Sequence, residues 1–188
     1  MAYKLHLNEN ELSNTYYISD MHFGHKDVIK FDDRPYSTVE EMDSDMIRIW
    51  NETIPENGVV FIVGDLFFRC SSQRMKEIIE QLNGQFIFIK GNHDTSMLNC
   101  KPMLKYFDLI ETRINLYTPD RLIVMDHYPM LEWDQYFSGS YHVYGHVHGN
   151  KPHFEARALD LGWRLHNKPL HYSEVLAKIE QRKLLMNE

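Results

Sequence analysis

Five stretches of the chain share one pattern: a short apolar run of β-forming residues that stops at Asp, Asn or His. Thr15-Tyr16-Tyr17-Ile18-Ser19 runs into Asp20-Met21-His22, and Val59 to Val63 runs into Gly64-Asp65. Phe86 to Lys90 leads to Gly91-Asn92-His93-Asp94. Leu122 to Met125 leads to Asp126-His127, and Tyr141 to Tyr144 to Gly145-His146-Val147-His148. Unbroken apolar runs of this length read as strands buried in a sheet. A glycine directly after the strand lets the backbone turn tightly. The polar residues are thereby delivered at the carboxyl ends of strands, where open α/β sheets place their ligands.

Between these runs the period changes. Ser37-Thr38-Val39-Glu40 has capping-box spacing, and Val39, Met42, Met46, Ile49 and Trp50 then mark one face of a helix reaching residue 53. Ser71 or Ser72 opens a second helix with Met75, Ile78, Ile79 and Leu82 inward, stopped by Asn83-Gly84. This strand–helix–strand unit predicts that the strands at 59–63 and 86–90 are parallel. Strands at 113–117 and 121–126 are joined by Thr118-Pro119-Asp120 as a hairpin-like link. A short helix is expected over 101–107, a strand over 156–161, and a last helix capped by Ser173-Glu174 with Val175, Leu176 and Ile179 inward. Residues 1–14 read as an edge strand or a tail, and 128–140 as an aromatic loop. No repeat or linker interrupts the chain, so residues 1–188 are expected to form a single domain.

Composition narrows the partners. The 188 residues are 43% hydrophobic and 25% charged, an ordinary globular balance. The net charge of −7 argues against gripping extended nucleic acid or an anionic membrane through bulk charge. It leaves room for a local phosphate site, because bound metal ions can supply the positive charge. Cys70 and Cys100 read as free thiols of a reducing compartment. Met1 to Glu9 has no apolar core of signal-peptide length and no run reaches membrane-spanning length, so a cytoplasmic protein is expected.

The polar set at the strand ends is Asp20, His22, Asp65, Asn92, His93, His127, His146 and His148. Oxygen and imidazole donors without thiolates favour Mn, Fe, Zn or Ni. The set is too large for one ion and fits two ions sharing a carboxylate. Two metals about 3.5–4 Å apart can clamp a phosphoryl group and acidify the water between them. Any one of these histidines could be structural; four at strand ends beside Asp or Asn point instead to a site. His6, His142, His153, His166 and His171 read as structural, and His25 stands apart because it follows His22 closely.

Taken in order, Asp-x-His, Gly-Asp, Gly-Asn-His-Asp, a lone His and Gly-His-x-His across residues 16–148 resemble the calcineurin-like metallophosphoesterase superfamily. The resemblance implies an α/β (α+β) fold, a four-layer αββα sandwich of two mixed β-sheets flanked by helices. It implies two divalent metal ions, manganese first, with iron, zinc, nickel and magnesium as the other candidates. One ion would be held by Asp20, His22, Asp65 and His148, the other by Asp65, Asn92, His127 and His146, with Asp65 as the bridge. His93 would face the scissile phosphate and stabilise or protonate the leaving oxygen, supported by Asp94. Phe23-Gly24-His25 through Arg34-Pro35-Tyr36, and His127-Tyr128-Pro129, are similar to a compact bacterial and phage branch of the superfamily.

The expected function is a dimetal-dependent phosphodiesterase that hydrolyses a small nucleotide-type diester by attack of a metal-bridging hydroxide. A phosphomonoesterase on the same site and a non-catalytic scaffold on the same fold are the alternatives. Intact motifs weigh against the scaffold, and a single-metal amide or ester hydrolase would leave half the ligand set unexplained. Arg34 and His25 are expected to contact substrate phosphate, a guanidinium being able to bind two oxygens at once. Tyr128 or Trp133 is expected to stack on a base. No cluster of Arg or Lys flanks the motifs to meet a monoester's second charge, which favours a diester. The implied partner is a small phosphate ester, with no extended nucleic acid and no membrane; no oligomeric state is implied.

Overall fold

The computed structural model describes residues 2–150 and 157–186. The chain opens with β1 (Tyr3–His6) and α1 (Glu9–Leu12), the latter closed by a capping box between Asn8 and Glu11. β2 (Thr15–Ile18), α2 (Val28–Phe31) and α3 (Val39–Thr53) follow. The cap of α3 lies one residue later than the sequence spacing suggests: the Thr38 hydroxyl accepts from Glu41 N, and Glu41 reaches back to Ser37 N. Next come β3 (Val59–Val63), α4 (Ser72–Ile79) and β4 (Gln85–Ile89). Two short helices, α5 (Thr95–Leu98) and α6 (Lys101–Leu104), lead to β5 (Phe107–Glu111). β6 (Arg113–Tyr117) and β7 (Leu122–Asp126) precede a single 3₁₀ turn at Tyr136–Ser138. β8 (Tyr141–Tyr144), β9 (Ala158–Asp160), α7 (Trp163–His166), β10 (Leu170–His171) and α8 (Tyr172–Met186) complete the order. The expected strand over 156–161 is β9, its residue 156 lying outside the described residues, as does His153.

The strands form two five-stranded mixed sheets. The first has the order β10-β2-β3-β4-β5 and is parallel except for β10. Its β3–α4–β4 unit is the expected parallel crossover, in register from Val59↔Gln85 to Val63↔Ile89. The second has the order β1-β6-β7-β8-β9, with β6 and β7 antiparallel as the hairpin reading requires.

The two sheets pack face to face. Tyr17, Phe61, Val63 and Ile89 of the first meet Leu116, Ile123, Met125 and Val143 of the second, and Val175 and Ile179 of α8 join them. The outer face of the first sheet is covered by α3 and α4 through Met42, Met46, Trp50, Met75 and Ile78. Trp50 is fully buried and donates its Nε1–H to the Asn83 carbonyl at 2.8 Å. Burying a side chain of that size contributes roughly 1.5–3 kcal/mol. The outer face of the second sheet is covered by the 128–140 segment, with Trp133 against Leu122, Val124 and Tyr144. Trp133 Nε1 donates to Ser140 Oγ at 2.9 Å. That interior placement corrects the expectation that Trp133 stacks on a base: the outer face of the sheet is apolar and the indole is what closes it.

Candidate active site

The loops after β2, β3, β4, β7 and β8 meet at one edge of the sandwich. Within the first sheet the loops are zipped together by backbone bonds from Asp20 N to Gly64 O (3.1 Å), His22 N to Asp65 O (3.0 Å) and Phe23 N to Leu66 O (2.9 Å). Within the second, Gly145 N donates to His127 O at 3.0 Å. Two glycines permit the crowding. A Cβ on Gly91 would overlap the Asp65 carboxylate, and Gly64, at φ +87°, would place one on His127 Nδ1. Asp20, His22, Asp65, His146 and His148 all have φ between 49° and 70°. Left-handed backbone on a residue with a Cβ costs on the order of 1–3 kcal/mol, and such strain clusters at functional sites.

The seven candidate ligands converge. Asp65 Oδ2 lies 3.5 Å from His127 Nε2, 3.8 Å from His22 Nε2 and 4.0 Å from His93 Nε2. His148 Nε2 lies 3.5 Å from Asp20 Oδ1 and 3.2 Å from His22 Nε2. Asn92 Oδ1 sits between His127 Nε2 (2.9 Å) and His146 Nδ1 (2.8 Å). Donor atoms of Asp20, His22 and His148, and of Asp20, Asp65 and His127, come close enough to hold an ion.

The donor chemistry fits cations. His127 Nδ1 lies 2.9 Å from the Val63 carbonyl, which only accepts, so that nitrogen carries the proton. In the neutral ring the Nε2 lone pair then faces the oxygen of Asn92. His148 Nδ1 donates to Asp32 Oδ1 at 2.8 Å, which holds the ring with its Nε2 toward His22. The His127 and Asn92 lone pairs, facing each other with no proton between them, repel, and a cation relieves the repulsion. Burial, with the Asp65 charge adding to it, pushes the Asp20 carboxyl up to about 7 even against the pull of His148. Burial also holds His22 well below the usual imidazole range. Acids and bases so placed are poised to share a buried cation.

The remaining predicted residues divide. His93 stands at the opening with its side chain 36% exposed and its ring 3.9 Å, centroid to centroid, from Phe68. Its backbone N–H donates to Asp65 Oδ1 at 2.9 Å. Asp94 is turned away from the opening. Its carboxylate accepts from Gly91 N (2.7 Å), Asp65 N (2.8 Å) and Leu66 N (3.2 Å), binding the β3 and β4 loops together. The expected support of the His93 ring by Asp94 thus gives way to a clamp on the backbone. Arg34 likewise lies inside, 6% exposed, donating to Asp20 O (3.0 Å), Met21 O (2.8 Å) and Asp32 Oδ2 (2.9 Å). Its forked donors hold the loop that carries Asp20 and His22, which corrects the expectation of a substrate contact. His25 is buried beside Phe68, its ring at 4.5 Å, and its Nδ1 has no partner among the described residues. Tyr128 is exposed, edge-on to His146 at 4.6 Å.

Three functional neighbours were absent from the expectations. Asp32 joins His148 to Arg34, and the only hint of it in the sequence is a polar segment, Asp32-Asp33-Arg34, that no core requires. Asp160, fully buried, accepts from Gly149 N (2.9 Å) and Gly162 N (2.8 Å) and so holds the loop behind His148. Phe68 had no periodic signal at all.

Fold and site define an α/β sandwich with a metal-type ligand cluster at the carboxyl ends of its strands. Residues 14–120, more than half of the chain, match the calcineurin-like phosphoesterase family, and the chain belongs to it. It is 42% identical over 80 residues to an uncharacterised protein of Methanocaldococcus jannaschii, a stretch of 42% of this chain and 46% of that one. It is 29% identical over 85 residues to the gene 66 protein of Mycobacterium phage L5, covering 44% of this chain and 41% of that one. The matched stretch spans under half the length of either relative. The fold is similar to the crystal structure of a protein of unknown function from Aquifex aeolicus, with a TM-score of 0.70 and 19% identity over 87% of this chain and 97% of that one.

Proposed function

We propose that the protein is a dimetal phosphodiesterase acting on small nucleotide-type diesters. The observation that carries this reading is the position of Asp65 Oδ2 among imidazole nitrogens of His22, His127 and His93, one from each of three loops. Asp20, His22, Asp65 and His148 would hold one ion, and Asp65, Asn92, His127 and His146 the other; manganese is the first choice for such oxygen and imidazole sets. When bound, the ions supply Lewis acidity and an acidified water. The chain's own residues do the rest. Val63 O and Asp32 fix the tautomers of His127 and His148, and Arg34 and Asp94 hold the loops that carry the carboxylates. His93, anchored through its backbone and half-open to solvent, delivers a proton at Nε2 to the leaving oxygen. Phe68 forms an apolar wall beside it, and the unpartnered Nδ1 of His25 lies on that same flank.

A diester is favoured because Arg34 is buried and its guanidinium is taken up by Asp20 O, Met21 O and Asp32, so it does not meet a monoester's second charge. The proposed setting is the cytoplasm: Cys70 and Cys100 are free thiols, and among the described residues no helix is long and apolar enough to cross a membrane. The test is a paired assay of manganese-loaded protein on bis(p-nitrophenyl) phosphate and p-nitrophenyl phosphate, with metal content measured on the same sample. Preference for the diester with two equivalents bound is the expected result; preference for the monoester across pH overturns the substrate class, and an inert protein with both metals bound overturns the enzyme.

A further inference from the structure

A groove of ≈ 580 Å³ opens beside Asn92, between the end of β4, the start of β6 and the end of β7. That volume lies in the range of small-molecule sites. Lys90, Thr95, Thr112, Arg113, Asp126 and Tyr128 line it. Lys90 is exposed, and its ammonium has no acidic partner among the described residues. Arg113 donates its Nε to Asp126 Oδ2 at 2.8 Å, which aims the guanidinium and leaves both Nη groups without a protein acceptor there. Asp126 does not present a free oxygen, since its Oδ1 accepts from Tyr128 N at 3.0 Å. The groove thus offers two cations and two threonine hydroxyls, with its one carboxylate already engaged. In a chain with 27 acidic and 20 basic residues, a lysine without an acidic partner beside a ligand cluster is a place for a ligand's anion.

We propose that this groove is a subsite for a second phosphate of the substrate, one sugar's length from the scissile phosphate. The leaving group would lie against Phe68 and His93 on the opposite flank, the retained nucleoside past Tyr128, and its distal phosphate between Lys90 and Arg113. This assignment rests on the phosphoesterase reading and names its substrate class: a nucleotide diester that carries a further phosphate.

The test measures binding without turnover. Thymidine 5′-phosphate and thymidine 3′,5′-bisphosphate are titrated calorimetrically into manganese-loaded protein. The bisphosphate should bind about tenfold or more tightly, the scale of one charge-assisted contact. Lys90→Ala and, separately, Arg113→Gln should bring the ratio of the two affinities toward one. Lys90 is on the surface, so its variant tests the subsite even where Arg113→Gln disturbs Asp126. Equal affinities in the parent protein, or a ratio unchanged in both variants, overturn the subsite. Because neither ligand is a diester, a protein that leaves bis(p-nitrophenyl) phosphate intact but keeps the ratio loses the phosphodiesterase reading alone. One that cleaves it without the ratio loses the groove alone.

Discussion

The first sheet brings Asp20, His22, Asp65 and Asn92 to the candidate site; the second brings His127, His146 and His148. The charged oxygen ligands come from one sheet and most of the imidazoles from the other. The first sheet is parallel through β2 to β5 and carries helices on its outer face, so its strand ends all open to the same edge. The second contains an antiparallel hairpin, and only its parallel strands β7 and β8 deliver ligands to that edge. The difference shows that neither sheet alone brings together the seven candidate ligands. The site exists only where the sheets are closed on each other, through His146 N on the Asp20 carboxylate, His127 on Val63 O and Asn92, and His148 on Asp32.

The most damaging way to break this division is at its centre. Asp65→Asn keeps the shape but removes the charge that imidazoles from both sheets face. Activity on the diester should fall by about 10³-fold or more, as when one member of a concerted catalytic unit is lost, and metal content should fall below two equivalents. Full metal content with activity retained would remove Asp65 from the bridge. His93→Ala should separate chemistry from coordination: a loss of about 10²–10⁴-fold in rate with both metals kept. Loss of one metal equivalent would make His93 a ligand.

What was legible beforehand follows the same division. β2, β3, β4, β7 and β8 read clearly because strands covered on both faces are continuously apolar. Their polar ends read clearly because the chain turns within one or two residues. β10 was not legible: two residues carry no period, and Leu170 and His171 become a strand only by pairing with Tyr17 and Tyr16. β5 is an edge strand whose pattern, Phe107 buried and Asp108 exposed, is interrupted by a register shift. Asp32 and Arg34 stood close to the motif in sequence, but which way they turn was decided by His148, 116 residues from Asp32. Asp94 shows the converse. Its neighbour His93 suggested a partnership, whereas three backbone N–H groups, obligatory donors once buried, claimed its oxygens.

Asp32→Asn sharpens the comparison, since Asp32 sits on the first-sheet side and fixes the ring of His148, a candidate ligand of the second. It should weaken binding of one metal equivalent by about 10–100-fold, the usual effect of removing a histidine's outer partner, and leave the other equivalent in place. Equal weakening of both in a metal titration would show a general loosening instead. The smallest expected effect lies wholly in the second sheet. His142 is fully buried, and burial holds its imidazole down at about 4. The unfolded chain, titrating near 6.5, then binds more protons, so stability is complete above pH 6.5 and declines as pH falls toward 4. Between pH 6.5 and 5 the wild type should lose about 2 kcal/mol from this group alone. In His142→Gln, denaturant unfolding at the two pH values should differ by correspondingly less; an unchanged difference would remove His142 as the cause.

The left-handed backbone at Asp20, His22, Asp65, His146 and His148 has a consequence for descent as well as for chemistry. Glycine occupies that conformation freely, with no Cβ to strain. A lineage that kept the sandwich as a scaffold and lost the reaction would relieve backbone strain by drifting to glycine at these five positions. Retention of aspartate and histidine there, against that gradient, is therefore a mark by which working members could be told from silent ones in a set of related chains.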